Sequence, residues 1–196
     1  MSAEQWDARY RDAPELWTKE PNAQLVALAS ELEPGRALDI GAGDGRNAIW
    51  LATRGWAVTA IDLSTVALQR AQARAAERGA KLECVVADWR EHPLGEAAYE
   101  LVVVSYMHPQ PSERAALFER AARALVPGGH LFTVGVVLAD HGRRGPPDSE
   151  RLYTVQRVRE ALRGLHVLRC DEHTYEMDHS SGRRTVTDVV AVARRP

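Results

Sequence analysis

The segment Leu38-Asp39-Ile40-Gly41-Ala42-Gly43-Asp44-Gly45 places an acidic residue just ahead of three alternating glycines. Glycine permits backbone angles closed to other residues and lets the chain come within contact distance of a ligand. A dinucleotide fingerprint wants a third small residue where helix packs on strand, with the helix N-terminus facing a pyrophosphate. Here that position is Arg46, which is awkward at so close a contact. The carboxylate of Asp39 would repel a pyrophosphate and suit an ammonium group, so a ligand with a positive amino end fits better. Two further carboxylates follow. Asp62 closes Ala60-Ile61-Asp62-Leu63 roughly 20 residues beyond the turn, where an acid can accept both hydroxyls of a ribose. Asp88, in Ala87-Asp88-Trp89, can accept from an exocyclic adenine amine, and Trp89 can cover the ring. Asp62 as a helix cap and Trp89 as a core aromatic are the plainer alternatives. Three such features at the carboxyl ends of three successive strands favour one shared site.

Those strands are legible in the apolar pattern. Leu25, Leu28, Ala29 and Leu32 recur at helical spacing before Glu33-Pro34-Gly35, which predicts a helix over 22–33. A strand over 37–40, the glycine turn and a helix over 47–54 ending at Gly55 come next. The unit then repeats: a strand over 58–61, a helix capped by Ser64 and running through Arg78 to Gly79, and strands over 82–87 and 101–104. Ser112 opens a helix that carries Leu117, Phe118, Ala121 and Leu125, stopped by Pro127-Gly128-Gly129, and a fifth strand covers 131–138. Apolar strands alternating with helices of this length argue for a parallel sheet covered on both faces, a doubly wound α/β fold. Residues 140–149 break the pattern with Gly, Pro and charge, the composition of a surface loop or lid. A helix over 155–162 and closing strands over 167–170 and 186–192 complete one domain spanning 1–196, with residues 1–35 as a cap segment and helix.

The ordered set Asp39-Ile40-Gly41-Ala42-Gly43-Asp44-Gly45, Asp62, Ala87-Asp88 and Leu125-Val126-Pro127-Gly128-Gly129 resembles the class I S-adenosylmethionine-dependent methyltransferases over essentially the whole chain. Gly45-Arg46-Asn47-Ala48, Trp6-Asp7, Tyr10 and Trp17 look like the tellurite-resistance and thiopurine-type branch, which acts on small molecules. The resemblance implies a Rossmann-like, seven-stranded, mostly parallel sheet with a reversed final strand. It also implies S-adenosylmethionine as cofactor, S-adenosylhomocysteine as product, and a small-molecule acceptor: a thiol, another chalcogen species or a hydroxyl.

Methyl transfer from a sulfonium needs alignment and exclusion of water more than heavy machinery. Aromatic faces stabilise a sulfonium, and Tyr10 and Trp17 serve if the N-terminal segment folds over the site; a hydrophobic clasp is the alternative. On the resemblance, Asp39, Gly41, Ala42, Gly43, Asp62, Leu63, Asp88 and Trp89 hold the cofactor, joined by Ser105 and Tyr106 after the fourth strand. His108 in Ser105-Tyr106-Met107-His108-Pro109 is the candidate general base, since its ordinary pKa lies near neutrality. His141, His173 and His179 could line a substrate pocket or simply be solvated. The loop after the fourth strand lacks the Asn or Asp-Pro-Pro-aromatic pattern of enzymes that methylate amino groups of nucleic acid and protein. No Asp-Asn pair follows the fifth strand, so a metal is not expected.

With 45% apolar residues, the 196-residue chain can bury a core. A net charge of -2 with interspersed signs gives no basic face for nucleic acid. Cys84 and Cys170 are too few for a disulfide framework, and no apolar run approaches the ~20 residues of a membrane span, which points to the cytoplasm. Oligomeric state leaves no trace in the sequence. Two other readings share the glycine turn: a cofactor-binding sensor or partner subunit without turnover, and an NAD-dependent oxidoreductase. Arg46 and the lack of a Tyr-x-x-x-Lys pair disfavour the second.

Overall fold

The computed structural model describes residues 1–13, 18–179 and 182–196. Seven strands form one sheet in the order β3-β2-β1-β4-β5-β7-β6. The strands β1 (Arg36–Ile40), β2 (Ala57–Asp62), β3 (Leu82–Val86), β4 (Tyr99–Ser105) and β5 (Leu125–Val136) are parallel. β7 (Gly182–Arg194) inserts antiparallel between β5 and β6 (His166–His179). This is the mostly parallel sheet with a reversed last strand that the resemblance implies.

Successive residues of a strand face opposite sides, and both sides here are apolar because helices cover both. Leu38, Ile40, Val102 and Val104 join one core with Leu117, Phe118 and Ala121 of α5 (Pro111–Ala124) and Val158 of α6 (Val155–Ala161). Ala37, Leu101 and Val103 join the other with Leu25 of α2 (Ala23–Ala29), Ala48 and Leu51 of α3 (Arg46–Thr53) and Leu68 of α4 (Thr65–Glu77). Each Leu or Ile fully buried in this way contributes about 1.5–3 kcal/mol.

Several boundaries differ from the sequence reading. α2 stops at Ala29 rather than residue 33, leaving the last turn irregular ahead of Pro34-Gly35. α5 starts at Pro111 behind a Gln110–Glu113 capping box, not at Ser112, because proline at a first helical position sacrifices no hydrogen bond. Pro127-Gly128-Gly129 does not separate helix from strand: β5 begins at Leu125, and a register shift between Tyr99 and Leu101 absorbs the irregularity. β6 and β7 extend well past 167–170 and 186–192 as a long hairpin. The sequence reading gave the N-terminus no helix, yet Ser2 and Gln5 close a capping box over α1 (Ala3–Asp12).

α1 lies against α4. Asp7 on α1 accepts from the Ser64 hydroxyl at 2.5 Å and the Val66 amide at 3.1 Å, so it satisfies donors at the start of α4. The segment 140–149 is bounded by short 3-10 turns at Leu138–Asp140 and Ser149–Arg151. It is pinned to the sheet through Arg144, which pairs with Asp140 at 3.2 Å and Asp188 at 3.0 Å.

Candidate functional site

In an open α/β sheet, ligands settle outside the carboxyl ends of strands where the winding reverses. Here β1 lies between β2 and β4, and the chain winds one way to β3 and the other way from β4 onward. The glycine turn leaves β1 at this switch point. Gly41 has φ of +70° and Gly43 of +58°, and the amides of Gly41 and Ala42 both donate to the Ile61 carbonyl at 2.8 and 3.0 Å. A Cβ on Gly41 would meet Met107 Sδ at 2.3 Å, and one on Gly43 the Tyr10 hydroxyl at 2.5 Å. Glycine is thus required for conformation and for space. Tyr10, buried on α1, and Met107, after β4, form the roof of the turn.

Asp39 sits beneath this turn with 1% exposure, and neither carboxylate oxygen has a hydrogen-bond partner among the described residues. Burial pushes its pKa up to about 7; the Arg46 guanidinium opposes the rise, the Asp62 carboxylate adds to it, and the nearby Ala48 amide, which does not reach hydrogen-bonding geometry, opposes it weakly. An unpartnered buried carboxyl is costly and marks a place for a positive or donor group. Asp62 is held by the turn itself: it accepts from the Gly43 amide at 2.8 Å and the Ser64 amide at 2.8 Å. Burial raises its pKa as well, against these backbone hydrogen bonds. Each carboxylate oxygen has more than one lone pair, so Asp62 fixes the turn and keeps acceptor capacity. Leu63 follows between Asp62 and the α4 cap Ser64.

The remaining predicted residues divide. Ser105 ends β4 and accepts from Asn47 Nδ2 at 3.1 Å, while Asn47 Oδ1 accepts from the Asn22 amide that begins α2. Tyr106 has φ of +54°, lies beneath the Arg46 guanidinium at 5.3 Å, and donates its hydroxyl proton to Asp188 at 2.6 Å. Asp88 lies just beyond β3 but closes an ion pair with Arg90 at 2.5 Å, which holds its carboxyl below the usual range. Trp89 is 8% exposed and packs in the core with Ile61, Leu94 and Phe118, its plainer alternative. Trp17 lies outside the described residues.

His108 is not presented as a base. Nδ1 faces the Arg151 carbonyl at 3.2 Å, Nε2 accepts from the Val136 amide at 3.4 Å, and the ring meets Tyr153 edge-on at 5.1 Å. Burial lowers its pKa to about 4. The side chain ties the loop after β4 to residues 151–153, as do Arg151 donating to the His108 carbonyl and Tyr153 to the Met107 carbonyl. Of the other histidines, His173 stacks on Tyr175 at 5.7 Å and meets Gln24 at 3.1 Å, and His141 meets the Pro147 carbonyl. The side chain of His179 lies outside the described residues. Asn47, Met107, Tyr175 and Asp188, which meet these residues, were not among the predicted ones. Asn47 and Met107 lie within the motifs quoted above, and Asp188 is the one charge in the apolar run Val186 to Val192; Tyr175 carried no signal.

A doubly wound sheet with a reversed strand near its edge and an acid-glycine turn at its switch point defines a Rossmann-like fold of the methyltransferase type. Comparisons agree with that class. Residues 37–129 match the family model described as "Methyltransferase domain". The 27-O-demethylrifamycin SV methyltransferase of Amycolatopsis mediterranei is 34% identical over 173 residues, 84% of this chain and 61% of that protein. A solved structure described as "Conversion of a Disulfide Bond into a Thioacetal Group during Echinomycin Biosynthesis" superposes with a TM-score of 0.79 at 25% identity, covering 98% of this chain and 91% of the other. TehB from Haemophilus influenzae shares the fold, with a TM-score of 0.76 at 16% identity over 97% of this chain and 67% of the other. Among the curated relatives, uncharacterized mycobacterial proteins 30% identical to the chain are spanned over only 42% of their length. Over residues 37–129 the chain is thus similar to methyltransferase domains, and its fold is the one that such proteins share.

Proposed function

We propose that this chain transfers a methyl group from S-adenosylmethionine to a small-molecule acceptor, at a thiol, another chalcogen or a hydroxyl. The observation that carries this is Asp39: a buried carboxyl without a partner, beneath a turn whose glycines leave room for close backbone approach. S-adenosylmethionine is the cofactor of this family, and when bound it supplies an electrophilic methyl group on a sulfonium. Asp39 balances the ammonium end of the amino-acid portion, and Gly41, Ala42 and Gly43 lie along it. Asp62 receives the ribose hydroxyls, with Leu63 beside it. Asp88 takes the adenine amine if Arg90 yields part of its grip, and Tyr10 covers the sulfonium side. Ser105 and Tyr106 face the acceptor end.

The chain's own task is to orient two ligands and exclude water. The arrangement assigns no proton transfer to His108, whose ring nitrogens serve the backbone. The A. mediterranei relative, by its name, methylates at an oxygen, which supports a hydroxyl among the acceptors. Cys84 and Cys170 are free thiols, and among the described residues no helix is long and apolar enough to cross a membrane. Unpaired thiols fit a reducing compartment, and the cytoplasm is our reading for this protein. Release of S-adenosylhomocysteine across a panel of thiols, phenols, alcohols and chalcogen anions tests the proposal. Turnover on one class supports it; binding of S-adenosylmethionine without turnover on any supports a sensor or partner subunit instead.

A further inference from the structure

A polar cluster lies beside the site on the same face of the sheet. Antiparallel pairing sets Asp188 of β7 opposite Val136, the last residue of β5, and opposite His173 of β6, so it stands at the carboxyl edge next to the end of β4. Asp188 is 1% exposed. Its Oδ2 accepts from two phenols, Tyr106 at 2.6 Å and Tyr175 at 2.9 Å, whose oxygens are 3.4 Å apart. Its Oδ1 faces the Arg144 guanidinium, which also pairs with Asp140. Burial, joined by the nearby carboxylate, raises the pKa of both phenols and keeps them protonated.

The direction of these hydrogen bonds fixes what the phenols can offer. Each hydroxyl has one proton and two lone pairs, and Asp188 takes both protons. What remains on Tyr106 and Tyr175 is acceptor capacity beside a carboxylate whose nearest cation is already shared between two acids. Such a surface rewards a neutral molecule carrying an O–H, S–H or N–H, and disfavours an anion. Tyr106 follows Ser105 at the end of β4, and its side chain packs in the same cluster as Ala42 of the glycine turn, which places the pair beside the proposed cofactor site. Arg46 lies against the ring face of Tyr106 rather than in a hydrogen bond with its hydroxyl.

The geometry points to Tyr106 and Tyr175 as the acceptor-recognition pair, with Asp188 as the positioning residue that turns their protons inward, selecting a neutral, hydrogen-bond-donating acceptor over an anionic one. This deepens the proposed function and rests on the cofactor reading given there.

Phenol and its methyl ether anisole differ in the single donor the pair would read. Each is titrated, followed by ligand-observed NMR, into protein mixed with excess S-adenosylhomocysteine, with thiocyanate added afterwards as an anionic competitor. Cofactor affinity is measured separately by calorimetry. Phenol should bind about tenfold tighter than anisole, the worth of one hydrogen bond to a site that needs it. That preference should fall to near parity in Tyr106→Phe and in Asp188→Asn, each held saturated with S-adenosylhomocysteine, and thiocyanate should not displace phenol. A merely structural Asp188 would lower stability without altering the ratio between two probes of nearly equal shape. Phenol no tighter than anisole in a parent that binds S-adenosylhomocysteine overturns this inference alone. So does a preference that survives both Tyr106→Phe and Tyr175→Phe, or displacement by thiocyanate. A parent that binds no S-adenosylhomocysteine overturns the cofactor reading, and this inference with it.

Discussion

Replacing Asp39 by Asn should make the ligand-free protein more stable at neutral and alkaline pH while destroying its cofactor site. In the unfolded chain the carboxyl ionises near its model value of 3.8; in the fold burial pushes this up to about 7. Between those values the folded state holds a proton that the unfolded state has released, so stability falls as pH rises through the interval. The loss is complete above the folded pKa. At about 1.4 kcal/mol per tenfold change in proton affinity, the full displacement corresponds to about 4 kcal/mol, of which about 2–4 should be measurable once water and side-chain relaxation share the charge. Asn does not titrate, so Asp39→Asn removes this slope and leaves those of all other groups in place. Urea unfolding of parent and variant from pH 3 to 8.5 reads the difference directly: near zero at the acid end, favouring the variant by about 2–4 kcal/mol at the alkaline end. Parallel pH profiles would show that Asp39 is solvated or partnered, and the argument that it awaits an ammonium would fail.

Gly43→Val should abolish S-adenosylhomocysteine binding in calorimetry and expel Tyr10, since even a Cβ would lie 2.5 Å from its hydroxyl; near-parental affinity would make the turn merely structural. His108, whose pKa is lowered to about 4 from 6.5, stays neutral in the fold while the unfolded chain takes up a proton, so it costs stability as pH falls from 6.5 toward 4. His108→Gln should abolish that part of the acid sensitivity, about 2–3 kcal/mol in unfolding at pH 4, and leave turnover at pH 8 within a few-fold on any acceptor. A loss of about a hundredfold or more that shrinks as pH rises would restore His108 as a base. Asp7→Ala should cost about 1 kcal/mol by removing acceptors from the start of α4, measured by thermal unfolding; no change would show α1 to be held by apolar contact alone.

The strands were legible because a sheet covered on both faces writes each strand as a short apolar run, and because Ser64, Gly55 and Gly79 punctuate the helices by the same chemistry that caps them. The proposed cofactor side is legible for a related reason. The turn's glycines and Asp62 are bound to each other, so their spacing in sequence is a consequence of one hydrogen-bonded loop. The proposed acceptor side is not. Tyr106 lies just past β4, Tyr175 on β6 and Asp188 on β7; their meeting depends on the reversed insertion of β7, and no local spacing encodes that. At His108 type and position suggest a base, while the residues that engage its nitrogens, Val136 and Arg151, do so through backbone atoms that any sequence supplies and no motif announces. For Trp89 the sequence leaves both readings open, since an aromatic at a strand end packs inward, as it does here, as readily as onto a ligand.

The central claim is that the turn beneath Tyr10 and Met107 holds S-adenosylmethionine with Asp62 on its ribose. Calorimetric titration of S-adenosylhomocysteine into parent protein and Asp62→Ala, with NAD as control, tests it most directly. One site per chain is predicted for the parent and none for NAD. The variant should bind weaker by about 1.5–3 kcal/mol, the worth of hydrogen bonds to a charged acceptor. Unchanged affinity in Asp62→Ala, or NAD binding in place of S-adenosylhomocysteine, would contradict the account.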